Sequence, residues 1–279
     1  MNTLFAIVAV ALLGIQAGAC SIAGSTERPD APRELVIRAA EYSFRAADTI
    51  PAGMVSVHLV NDGAEVHHVQ LVRIRQGHSF EEFRESAAKG KPFPSWVTPV
   101  GGPNASSSGV DAKVVLDLPA GLYAMLCLIA SDADRTAHYA KGMIRPLVVL
   151  GSGGAAQRRE PAADGRIVLT DYAFDVSPDI GAGRHTLRVE NAAAQAHEVV
   201  IVRLIPGKTM TDLWTWSKGP KGAPPVMPNG GTTVIAPGGV NLMTATFTPG
   251  DYVLVCFASD ASDGRSHLAH GMVQQFRVD

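Results

Sequence analysis

Four chemically active residues recur in the same order in the two halves of the chain. They are His67, Cys127, His138 and Met143, then His197, Cys256, His267 and Met272. Residues 127–143 align with residues 256–272 without a gap, at an offset of 129. Six pairs are identical there: Cys127/Cys256, Asp134/Asp263, His138/His267, Ala140/Ala269, Gly142/Gly271 and Met143/Met272. His67 follows Asn61 by six residues, and His197 follows Asn191 by six. Two imidazoles, one thiolate and one thioether form a donor set suited to copper, which cycles between a softer and a harder oxidation state. A metal of fixed valence has no need of the thioether.

Each residue also has a plain reading. A lone buried Cys is a small core hydrophobe, a lone His a surface or capping residue, and a lone Met a core residue. The flanking residues have drifted while the quartet kept its types and spacing, which favours a shared chemical use over passive copying. His68 pairs with Glu198, so His67 is the better ligand of the adjacent pair. His270 aligns with Lys141 and ranks below His267. His58, His185 and His78 pair with Arg188, Val55 and Lys208 and read as solvated side chains. Asp134 and Asp263 either orient the ligand loop through hydrogen bonds or cap a turn. Gly101-Gly102-Pro103 and Gly230-Gly231 read as tight turns near a sandwich end, because no phosphate-loop lysine follows them. Trp96, Trp214 and Trp216 read as packing residues.

The elements that must position the quartets also repeat. VNDGAEVHHVQLVRI answers VENAAAQAHEVVIVRL, and GLYAMLCLIASDADRTAHYAKGM answers GDYVLVCFASDASDGRSHLAHGM. The Gly/Ala/Pro-rich stretch 151–165 reads as a linker, between units at 31–150 and 166–279. Val/Ile/Leu-rich runs with Gly, Pro and Asn punctuation predict strands at 35–39, 54–60, 67–74, 112–118, 122–129 and 143–150. The second unit repeats them at 166–170, 185–190, 197–204, 240–247, 252–257 and 272–278. One short helix is expected in each unit, at 79–88 and 210–218. The fold class is all-β, with two tandem antiparallel sandwiches.

With its late G-x-Y strand running into Cys, then His, then Met, each unit resembles the cupredoxin family. Gly121-x-Tyr123 leads into Cys127, and Gly250-x-Tyr252 into Cys256. The resemblance covers nearly all of the chain after its N-terminal segment. It implies Greek-key β-sandwiches, a type 1 copper site in each unit and so up to two coppers. The ligands would be His67, Cys127, His138, Met143, His197, Cys256, His267 and Met272. It also implies that His138 and His267 lie nearest the surface and serve as the electron exit. The Cys-to-His step has ten intervening residues, longer than in most members. Such a loop either carries the His out of reach or acts as a lid or docking surface.

A net charge of −2 leaves no basic surplus, which argues against nucleic-acid binding. Three cysteines are too few for a disulfide-stapled scaffold. Residues 4–15 form an apolar run followed by Ala17-Gly18-Ala19-Cys20. This reads as a signal peptide over 1–19, with Cys20 as a lipidation candidate. Export to the periplasm or to an extracytoplasmic membrane surface follows, with membrane attachment only through that lipid. Copper oxidases and nitrite reductases resemble this chain in their tandem domains, but they carry H-x-H pairs and a His beside the Cys. Cys127 stands between Leu126 and Leu128, Cys256 between Val255 and Phe257, and no H-x-H occurs. The expectation is therefore electron transfer without catalysis, with a redox partner protein or copper donor. The alternatives are a metal-free interaction module and a copper storage or delivery protein.

Overall fold

A computed structural model describes residues 31–90, 93–151, 159–219 and 222–279. The expected signal peptide, Cys20 and residues 152–158 of the expected linker lie outside the described residues. The first half contains β1 (Arg33–Ala40), β2 (Ser43–Arg45), β3 (Thr49–Pro51), β4 (Gly53–Asn61), β5 (Gln70–Ile74), α1 (Phe80–Ala88), β6 (Val97–Gly101), β7 (Asp111–Leu118), β8 (Gly121–Leu126) and β9 (Ile144–Leu150). The second contains β10 (Gly165–Thr170), β11 (Ala173–Ser177), β12 (Gly183–Asn191), β13 (His197–Leu204), α2 (Met210–Lys218), β14 (Val226–Ile235), β15 (Val240–Phe247), β16 (Gly250–Val255) and β17 (Val273–Val278).

Each half is a two-layer sandwich. In the first, β2-β1-β4-β7 face β6-β5-β8-β9-β3; in the second, β11-β10-β12-β15 face β14-β13-β16-β17. Alternate residues of β1 point inward, Leu35, Ile37 and Ala39, as a half-buried strand requires. They meet Leu71, Tyr123, Met125 and Val149 from the opposite layer. The β5 and β13 layer is buried on both faces, which explains its continuous apolar runs. Its outer face is covered by α1 through Phe83 in one half and by α2 through Leu213 in the other. Both helices begin with a capping box, Ser79 with Glu82 and Thr209 with Asp212.

The pairing is not purely antiparallel. Strands β1 and β4, β10 and β12, and β3 and β9 run parallel. In the first half the chain leaves one layer after β2, adds β3 to the other and returns with β4, so neighbours in a layer need not be joined by hairpins. Each expected strand has a counterpart in the structure, with small shifts. In the first half β5 begins only at Gln70, and His67 is held instead by an isolated bridge to Ser106.

Strands β6 and β14 are absent from the sequence reading. Pro99 in β6, and Pro228 and Gly230-Gly231 in β14, disguise them as loops. They form part of the junction between the halves. Strand β15 pairs with β7 through Leu242–Val115, Met243–Val114 and Thr244–Lys113. Ile235 of β14 pairs with Val100 of β6. Both layers thereby run unbroken through the whole molecule, as an eight-stranded and a nine-stranded sheet.

Here the double glycines act as close-approach residues, not as tight turns. Gly102 and Gly231 have φ of 138° and 133°, and a Cβ on either would collide with the carbonyl oxygen of Val69 or Val199. Their own carbonyls accept from Thr233 N at 2.9 Å and Asn104 N at 3.2 Å across the junction.

Candidate metal centre

In the first half three donor atoms converge inside the sandwich end. Nδ1 of His67 lies 3.1 Å from Nδ1 of His138, which lies 3.5 Å from Sγ of Cys127. The second half repeats this, with Cys256 Sγ at 3.8 Å from Nδ1 of His197 and 3.3 Å from Nδ1 of His267. In each triad the three atoms lie within 4.8 Å of one another, a spacing that could hold one ion. All six residues are fully buried.

Backbone stitching brings these residues together. Asn61 donates from Nδ2 to the carbonyls of Glu65 and Ser106 at 2.9 and 2.7 Å, which fixes the turn that presents His67. Asn191 does the same for His197 through Gln195 and Ile235. Cys127 follows the last residue of β8, and Cys256 the last of β16. The long Cys-to-His loop is pinched at its base by bridges Ala130–Ala137 and Ser259–Ser266, so the extra residues bulge out and the His returns. His138 N then donates to Ile129 O at 2.8 Å, and His267 N to Ala258 O at 2.9 Å. A 3-10 turn follows at His138–Lys141 and His267–His270. It places Met143 and Met272, fully buried, where their carbonyls accept from Cys127 N and Cys256 N at 3.1 and 3.3 Å. The loop therefore keeps the His within reach of the Cys.

A second layer, absent from the sequence reading, surrounds the imidazoles. His138 Nε2 lies 2.7 Å from Glu65 Oε2, and His267 Nε2 lies 3.1 Å from Gln195 Oε1. Asp171 Oδ1 is 3.1 Å from His197 Nε2, while Glu41 Oε1 stands 3.7 Å from His67 Nε2, which has no hydrogen-bond partner. Tyr42 and Tyr172 lie edge-on against His138 and His267 at centroid distances of 5.2 and 5.5 Å. Both tyrosines hold left-handed φ angles, 61° and 65°, which are uncommon outside glycine. The Tyr42 hydroxyl meets Ser131 Oγ at 3.0 Å, and that of Tyr172 donates to Asp260 Oδ2 at 2.5 Å. The available signal was the repeat of Glu41-Tyr42-Ser43-Phe44 as Asp171-Tyr172-Ala173-Phe174, at an offset of 130.

One expectation changes and another is resolved. His138 and His267 are not at the surface, because the bulged loop and these tyrosines cover them. Of their two readings, Asp134 and Asp263 take the turn-capping one. They accept from Thr136 N and Arg265 N at 3.0 and 2.9 Å, capping the bulge, and pair with Lys141 and His270. The minor residues also find places. His58 bonds Asp111 at 2.8 Å, His185 bonds Gly181 O at 3.0 Å, and His78 stacks on Trp96. Trp96 packs against the α1 cluster, while Trp216 Nε1 donates to Gly222 O.

The donor chemistry fits a thiophilic cation. Burial pushes both thiols, Cys127 and Cys256, up to about 12, so they stay protonated unless a bound cation offsets the desolvation. Burial also pulls His67, His197 and His267 below the usual imidazole range, which leaves them neutral, as ligands must be. Oxygen-seeking cations find no carboxylate in either triad.

No family model and no curated protein matches the chain. Solved structures do. Reduced auracyanin from Roseiflexus castenholzii is 21% identical, covers 43% of this chain and 98% of its own, and has a TM-score of 0.31. A multicopper oxidase is 15% identical over 90% of this chain and 91% of its own, with a TM-score of 0.28. Copper nitrite reductase from Nitrosomonas europaea is 14% identical over 89% and 94%, with a TM-score of 0.26. At these values the likenesses carry no function across. The cupredoxin-like character rests on the paired sandwiches and on the His–Cys–His clusters at their ends.

Proposed function

We propose that the chain is a copper-binding electron-transfer protein with one mononuclear site in each half. The observation that carries this reading is the convergence, twice, of two Nδ1 atoms and one Sγ among fully buried residues. His67, Cys127 and His138 would hold one ion, and His197, Cys256 and His267 the other, with Met143 and Met272 as the weak thioether ligands. Bound there, copper supplies one-electron chemistry. The chain's own residues exclude water and fix the orientation of the imidazoles through Glu65, Gln195 and Asp171. With both ligand imidazoles covered, the exposed apolar contact beside a donor set is Phe257, next to Cys256 and 49% exposed.

The absence of H-x-H pairs and of a His beside either Cys favours transfer over oxidase or nitrite reductase chemistry. The apolar run at 4–15 and Ala17-Gly18-Ala19-Cys20 support export, with Cys20 lipidated at an extracytoplasmic membrane surface or the protein free in the periplasm. Among the described residues no helix is long and apolar enough to cross a membrane. The partner would be a redox protein or a copper donor.

The test is to express residues 21–279, add Cu(II), and record the visible spectrum with metal content. An intense charge-transfer band and two coppers per chain are expected. Cys127→Ser and Cys256→Ser should each remove one copper. A colourless Cu(I) form would instead indicate storage or delivery. No retained copper under either Cu(II) or Cu(I) would overturn the reading in favour of a metal-free interaction module.

A further inference from the structure

The junction between the halves buries three polar side chains that the metal sites do not themselves require. His68, Asn104 and Glu198 are 6%, 2% and 7% exposed. Burying such groups is costly unless each is satisfied, and apolar residues would fill the junction more simply. Each is satisfied, in one continuous chain. Leu128 N donates to His68 Nε2 at 2.7 Å, so the imidazole proton sits on Nδ1, and the same ring interacts with the Asn104 side chain. Asn104 Nδ2 donates to Glu198 Oε2 at 3.1 Å. Glu198 Oε1 accepts from Phe257 N at 3.1 Å.

The two ends of this chain grip the two cysteines alike. Glu198 N donates to Cys256 Sγ at 3.4 Å, and His68 N hydrogen-bonds Cys127. His68 and Glu198 thus each hold a cysteine twice: the backbone N–H meets its sulfur, and the side chain accepts the next residue's N–H. Asn104 joins the two clamps.

We propose that His68, Asn104 and Glu198 couple the two sites, so that filling one with metal changes the hydrogen bonding and the metal affinity at the other. This rests on the copper reading above. With a metal bound the sulfur would be a thiolate, its proton released to solvent. The N–H···S bond then becomes charge-assisted and shortens. That moves His68 or Glu198, whose side chain is already committed to Asn104. Asn104 cannot follow one clamp without changing its bond to the other. Coupling of this kind is reciprocal: each site alters the other by the same factor.

The test uses the chain carrying Cys256→Ser, so that only the first site can fill. Cu(I), which is diamagnetic, is added as the probe, and amide resonances are followed by NMR. Leu128 and His138 report filling of the first site. The expected result is that the Phe257 and Glu198 amides shift as well, and that adding Asn104→Ala abolishes those shifts. Reciprocally, Cys127→Ser loaded in its second site should shift Leu128. Cu(I) affinity of the second site should differ by about fivefold or more between the chain with its first site filled and the Cys127→Ser chain, and by nothing in the Asn104→Ala background. A moving Leu128 amide with a silent Phe257 amide overturns the coupling and leaves the copper reading intact. Failure of the chain to retain Cu(I) removes both. Should Asn104→Ala not fold, the Phe257 measurement in the Cys256→Ser chain decides alone.

Discussion

At the residue scale, the carboxylates behind the imidazoles divide the labour of the two sites unequally. Glu65 accepts the Nε2–H of His138, whereas the corresponding acceptor of His267 is the neutral Gln195. Removing such an acceptor typically weakens metal binding by about 10–100-fold. Glu65→Ala should therefore lower copper retention at the first site by about that factor and spare the second, as read by competition with a chelator. Glu198 offers a test that needs no metal. Burial, opposed by the Phe257 amide and Asn104, raises its carboxyl from an ordinary 4.5 to about 7. Its folded form resists ionisation while the unfolded chain ionises. The stability it contributes is thus fully present below pH 4.5 and is lost as pH rises to about 7. The loss is about 3 kcal/mol. The buried histidines slope the opposite way, so the comparison is between proteins: Glu198→Gln should flatten that part of the urea-unfolding profile. An unchanged slope would show that Glu198 ionises freely in the folded chain. The six His and Cys residues whose donor atoms converge were legible in the sequence because they recur by type and spacing. The second layer was not, because its members diverge in type: Glu41 with Asp171, Glu65 with Gln195, and Ser131 with Asp260.

At the element scale, legibility followed periodicity. Strands such as β4, with inward Val55, Val57 and Leu59, and β15, with inward Met243, Ala245 and Phe247, were readable. Strands β6 and β14 were not, because their Pro and Gly residues serve the junction and break the pattern. Neither did spacing alone show that the ten-residue Cys-to-His step closes on itself through a bridge at its base. The geometry of β14 makes a specific demand. Gly231 has φ of 133° and its Cα faces the Val199 carbonyl within the reach of a Cβ. Gly231→Ala meets both backbone strain and a collision with a strand that carries His197. It should destabilise the chain by about 2 kcal/mol or more. Gly222→Ala, which has open space and a φ of 72°, meets the strain alone. Chemical unfolding of the two variants checks this, and equal losses would show that the close approach relaxes freely.

At the scale of the whole molecule, the duplication produced more than two sandwiches on a string. Each donor set comes from a single half, so neither site needs the other half for its ligands. The sheets do need it. Strands β7 and β15 cover each other's edges, and β6 meets β14 alongside the hydrogen bonds from Thr233 to Gly102 and Asn104 to Gly231. A half taken alone would present an unpaired β7 edge and strip the partners from Asn104. Open edges of this kind pair with whatever strand is available. Residues 31–150 expressed alone should therefore self-associate or aggregate, as read by analytical ultracentrifugation. Coexpression with residues 165–279 should restore a one-to-one complex. A stable monomer of residues 31–150, melting at the temperature of the whole chain, would show that the continuous sheets are incidental to stability. Because the polar His68–Asn104–Glu198 chain crosses the same surface, a complex reassembled from separate halves also asks whether the junction needs the covalent linker at all. The hydrogen-bonded edges and the buried polar chain predict that it does not, beyond raising the effective concentration of one half for the other.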